Sequence, residues 1–116
     1  MYEQAFIADI LREDPTAAVI AAGDFNEFAF VSPLETFRTA SGLVNVDDVV
    51  DIPPTERYTY LYDMNCQSLD HMYVSEFLAS KGDVAYEHLH VNTWASASDE
   101  VSDHDPSVLR LNVCRS

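Results

Sequence analysis

Positive charge is scarce in this chain: six lysines and arginines stand against 20 aspartates and glutamates, a net charge of −14 over 116 residues. A surface of that sign repels a phosphate backbone over most of its area, so a phosphate-bearing partner must be met locally, through a cation. Cysteine is also scarce. Cys66 and Cys114 allow a single bridge, and the missing basic, cleavable leader at "MYEQAFIADILRED" favours two free thiols. No apolar run approaches the ~18 residues that cross a bilayer, so no membrane partner is expected. Repeats, low-complexity tracts and linkers are absent as well, which leaves one domain.

The residues that are present suit a globular fold, with 47% hydrophobic and 22% charged. Phe6, Ile7, Ile10 and Leu11 recur at helical spacing over residues 2 to 13, and Asp14-Pro15 stops that helix. "TAAVIAA" then reads as a strand covered on both faces. In "VSPLETFRTASG", Ser32 is an N-cap, Pro33 opens the helix, Glu35 closes a capping box and Gly42 ends it, with Leu34, Phe37 and Ala40 facing the core. Residues 44 to 57, with Asp47, Asp48 and Asp51, read as a solvated connecting loop. The alternation in "RYTYLY" and "LDHMYVS" predicts two strands joined through "DMNCQ". "SEFLASKG" is a short helical turn, and "DVAYEHLHV" and "SVLRLNV" are further strands, the last with Leu109, Leu111 and Val113 on one face. Together these predict an α/β layer.

Three polar clusters fall at strand ends or beside them: Asp24 and Asn26 in "GDFN", Asp70 and His71 in "SLDHMYVS", and Asp103, His104 and Asp105 in "SDHDP". Strand ends of layered α/β folds are where rigid scaffolds present side chains to ligands. Asp24 and Asn26, two apart on an extended segment, point the same way. Alternation also separates Asp70 from His71, so His71 is left outside the candidate set. His88 and His90 are two apart and lack a third zinc ligand nearby, so they read as strand histidines. Trp94 is either a stacking platform for a substrate or a buried anchor for its loop.

In this order and separation, "GDFN", "SLDHMYVS" and "SDHDP" resemble the later motifs of the endonuclease/exonuclease/phosphatase superfamily, the deoxyribonuclease I-like fold. "RYTYLYDMNCQSLDHMYVS" most resembles its secreted extracellular nuclease branch. The resemblance spans nearly the whole chain and only the second half of the family domain. It implies half of a four-layer α/β/β/α sandwich, one mixed sheet with flanking helices, whose bare inner face favours association. The family's earlier half carries a metal-binding Glu, an Asn and a second His that have no counterpart motif here.

Carried over by motif, the resemblance makes Asp24 the residue that orients or deprotonates water and Asn26 a phosphate or water ligand. Asp103 would ligate Mg²⁺ (or Mn²⁺ or Ca²⁺), His104 would bind the scissile phosphate or move a proton, and Asp70 would fix the His104 tautomer. These groups suit in-line attack on a phosphoester, which needs an oriented water and charge relief on the phosphate oxygens. The implied partner is a phosphate-ester substrate, with nucleic acid as one form of it, and the implied setting of the parent is extracellular. Two other readings stand beside this one: a non-catalytic remnant, and an acidic cation-binding module motivated by the charge of −14.

Overall fold

Proline cannot continue a helix, and α1 (Tyr2–Glu13) ends one residue before the Asp14-Pro15 pair, where Asp14 Oδ1 accepts the Thr16 N–H in a tight turn. The computed structural model describes residues 2–24, 32–62, 65–96 and 98–112. Within them lie four α-helices and three small antiparallel sheets, a mixed α/β architecture. The single mixed sheet expected from the sequence is not formed by the described residues; every ladder is antiparallel and short. Among these residues no helix is long and apolar enough to cross a membrane.

The first sheet runs β1 (Ile20–Asp24), β5 (Asp70–Val74), β2 (Val44–Asn45) in space, so β1 is an edge strand. The apolar run around it was expected to be covered on both faces, yet Ile20 is half exposed and only Val19 and Ala21 pack against the core. Composition reports how apolar a strand is and not how many neighbours it has. Gly42 ends α2 (Ser32–Ser41) as its position predicts: its φ of 77° is left-handed, and its N–H bonds the Arg38 carbonyl at 3.1 Å. Leu34 and Phe37 of that helix are buried, whereas Ala40 is exposed.

The acidic stretch expected as a loop folds locally. Asn45 caps α3 (Val46–Val49), its side chain accepting the Asp47 N–H at 2.9 Å, and Pro54–Glu56 forms a 3-10 turn. Beyond it, β3 (Tyr60–Tyr62) pairs with β4 (Asn65–Gln67). After β5 come α4 (Glu76–Ser80), β6 (Val84–His88) and β7 (Ser107–Leu111), the last two paired with each other.

Two cores flank the central strand. Tyr73 packs with Ile7, Phe37 and Leu43 beneath the helices, and its ring meets Phe37 edge-on at 5.2 Å. Its neighbour Val74 faces the other way, into Val46, Leu78 and Tyr86, where Leu109 and Leu111 also pack; Val113, expected on the same face, lies outside the described residues. Period two in β5 therefore joins both cores through adjacent residues. Of the α1 face, Ile7 and Leu11 reach the core, while Phe6 stays 67% exposed.

Candidate functional site

The register of β1 on β5 sets Asp24 directly opposite Asp70. Residues directly opposite in an antiparallel pair share a face, and two like charges there destabilise the ladder unless something of opposite sign joins them. His104 does so. Its Nδ1 lies 2.6 Å from Asp70 Oδ2, and its Nε2 lies 3.8 Å from Asp24 Oδ2, too far for a hydrogen bond but close enough for an ionic attraction. One potential ligand atom from each of the three residues falls within 4.8 Å of the others, close enough together to hold a cation.

The segment that delivers His104 is held at several points. Its main chain makes an antiparallel bridge with Tyr60, whose ring lies 5.0 Å from the imidazole. Its N–H donates to Ser102 Oγ at 3.1 Å, and its carbonyl accepts from Asn92 Nδ2 at 2.7 Å. Thr59, fully buried, is the common anchor. Its Oγ1 accepts the N–H groups of Leu69 and Asp70 at 3.3 and 3.2 Å, and its carbonyl accepts the Asp105 N–H at 2.7 Å.

Partial burial pulls the His104 pKa down, but the hydrogen bond and charge of Asp70, with the charges of Asp24 and Asp103, outweigh it and hold it above the ordinary histidine value. Asp70 accepts only, so the His104 Nδ1 carries a proton that it donates to Asp70, and Nε2 is left to face Asp24. The expected function of Asp70 as the partner that orients His104 matches this contact. Asp103 is exposed and lies outside the three-residue group, acting on His104 through its charge. Asn26 lies outside the described residues, as does Cys114; Cys66 is an exposed free thiol. His71 is buried on the face of β5 opposite Asp70, as alternation predicts.

Several polar residues that the sequence left without function are placed with equal care. Asp105, 3% exposed, accepts hydrogen bonds from the main-chain N–H groups of Asn92 and Thr93, from Thr93 Oγ1 and from His90 Nδ1. Burial alone would raise its pKa, but these donors win and hold it below the usual carboxylate value. His90 also faces Glu56 at 3.2 Å and stacks on Tyr58 at 3.9 Å. Asp47, expected in a solvated loop, is buried and bonded to His88. Neither histidine belongs to the group that could hold a metal among the described residues. Trp94 is 75% exposed, so it is not the buried anchor expected as one alternative; its Nε1 donates to the Tyr58 hydroxyl at 2.6 Å.

Asp24 and Asp70 line a cavity of about 190 Å³ that they share with Tyr86, Asp105 and Ser107. A larger cavity of about 830 Å³ lies elsewhere, beside Arg38, Arg57, Cys66 and Tyr73, and contains none of the three grouped residues. Its two guanidinium groups are paired with Glu35 and Asp48. Chemistry rather than size therefore marks the smaller cavity as the candidate site. Compared with known proteins, the chain matches no family model, no curated protein and no solved structure.

Proposed function

We propose that Asp24, Asp70 and His104 belong to a divalent-metal-dependent site for phosphoester hydrolysis, within half of a four-layer α/β/β/α sandwich of the endonuclease/exonuclease/phosphatase type. The observation that carries this reading is the convergence of two facing carboxylates and an imidazole within 4.8 Å. The two carboxylates are hard oxygen donors of the kind that fit Mg²⁺, Mn²⁺ or Ca²⁺, and such an ion would add to the charge relief that His104 gives them. When bound, the ion supplies charge relief to the phosphate, which a chain of net charge −14 otherwise repels.

The remaining work falls to the chain. Asp24, the more exposed carboxylate, accepts a hydrogen bond from the attacking water and orients it. His104, oriented through Nδ1 by Asp70, presents Nε2 to a phosphate or leaving oxygen and donates to it in its protonated form. Asp70 holds the ring so that Nε2 faces outward. Asn26 is proposed as a further phosphate or water ligand and Asp103 as a further metal ligand, both by motif. The substrate is proposed to be a phosphodiester, with a nuclease as the parent enzyme, and residues of the family's earlier half would complete the cleft.

Calorimetric titration of the purified chain with Mn²⁺ tests the site directly. One defined site is expected, lost in Asp24→Ala and Asp70→Ala. Several weak sites indifferent to both substitutions would instead establish the acidic cation-binding reading. Hydrolysis of bis(p-nitrophenyl) phosphate with Mg²⁺ or Mn²⁺ tests the chemistry. Turnover should vanish with chelator and fall on the order of 10²-fold in Asp24→Ala; turnover surviving either would sink the mechanism. Defined metal binding without turnover would assign these residues to a half-site.

A further inference from the structure

Asp47, His88 and Ser107 form a continuous hydrogen-bonded chain that the phosphoester reading does not use. The β6–β7 register places Ser107 directly opposite His88, so both side chains share a face. Ser107 Oγ lies 2.7 Å from His88 Nδ1, and Asp47 Oδ1 lies 2.7 Å from His88 Nε2. The Asp47 and His88 side chains are almost wholly buried, at 2% and 1% exposure, whereas Ser107 is half-buried and lines the 190 Å³ cavity. A carboxylate can only accept, so it fixes the proton of His88 on Nε2 and leaves the Nδ1 lone pair to accept the Ser107 hydroxyl. That is the tautomer a general base needs.

We propose that Ser107, His88, Asp47 and Tyr86 form a metal-independent centre that hydrolyses short, uncharged carboxylic esters through an acyl-serine. Serine and carboxylate sit on opposite ring nitrogens, which is the requirement of a nucleophile–base–orienter relay whatever the fold. The nitrogens are exchanged relative to the usual assignment, and the relay does not depend on which is which. Tyr86 lines the same cavity as Ser107. Burial pushes that phenol up to about 12, so it remains a donor across the working pH range.

Ser107 Oγ attacks the ester carbon while His88 Nδ1 takes the hydroxyl proton, and the imidazolium is stabilised by Asp47. Tyr86 O–H donates to the carbonyl oxygen as it becomes negative. The carbon–oxygen bond to the alcohol breaks, the alcohol leaves with the proton from Nδ1, and water releases the acid by the same steps in reverse. A cavity of about 190 Å³ accommodates a short acyl group. Asp24, Asp70 and Asp105, which line the same cavity, repel anionic esters, which selects neutral ones.

A neutral alkyl fluorophosphonate, with EDTA present, tests this without reference to the phosphoester site. Attack by Ser107 forms an oxygen–phosphorus bond and expels fluoride, adding one adduct readable by intact mass and peptide mapping. The folded chain should carry that adduct on Ser107, and urea-unfolded chain should not. Ser107→Ala should abolish it, Asp47→Asn should slow it on the order of 10³-fold, and Tyr86→Phe, which keeps the ring packing, on the order of 10²-fold. Circular dichroism identifies any variant that fails to fold; the wild-type chain and Tyr86→Phe then decide. A folded wild-type chain left unlabelled, labelling elsewhere, or a rate unchanged in folded Asp47→Asn or Tyr86→Phe would overturn the proposal.

Discussion

Asp105 gathers two main-chain amides, a hydroxyl and an imidazole around one buried carboxylate, and so fixes the loop that follows β6 against the segment that carries His104. Truncating it would strand several buried donors at once. Asp105→Ala is expected to cost about 3 kcal/mol, measured by urea unfolding. Because its folded pKa is depressed, its contribution is fully present above the unfolded value of about 3.9 and is lost as pH falls through the lower folded value. The wild-type chain should therefore lose stability in acid more steeply than Asp105→Asn. His104 behaves in the opposite sense. Its folded pKa is raised, so its contribution is full below the unfolded value of about 6.5 and is lost as pH rises through the folded value. Asp70→Asn keeps the shape and removes the charge; the His104 ring resonances should then titrate at lower pH, and an unchanged titration would refute the pairing. The Asp70–His104 pair was legible because both residues sat in recognisable motifs. The Asp47–His88 pair was not, since the two residues are 41 positions apart and nothing local in an acidic stretch marks which carboxylate is buried.

At the scale of elements, the end of α2 was read correctly and its start was not. Gly42 lies just past its end with a left-handed backbone, as its position predicts, whereas the helix already includes Ser32, the expected N-cap, so that Pro33 is its second residue. Gly42→Ala is expected to cost about 1 kcal/mol and lower the thermal midpoint by about 4 °C, through the left-handed backbone and not through crowding, since the nearest atom to an added Cβ is Leu11 Cδ1 at an ordinary 3.8 Å. What alternation and composition could not supply was the pairing. β5 was placed correctly as a strand, but its central position between β1 and β2, and the splitting of the strands into three sheets, depend on long-range ladders. The same limit explains β1, whose small apolar residues suit a buried strand and are found at an edge.

For the molecule as a whole, a charge of −14 sets the background against which every local contact acts. Raising NaCl from 10 to 150 mM shortens the Debye length from about 30 to about 8 Å, so self-repulsion weakens and the thermal midpoint should rise by a few degrees; a flat response would show that the charge is already compensated in place. Mg²⁺ should add a further increment that is reduced in Asp24→Ala. Thr59 carries one more consequence at this scale. Asp70 and Asp105 are both tied to that single residue, and His104 is the residue before Asp105. Thermal motion of the anchor therefore moves the carboxylate and the imidazole in concert, so that the distance between them fluctuates less than the position of either. Loosening Thr59 would blur that distance while leaving each residue in its own strand or loop.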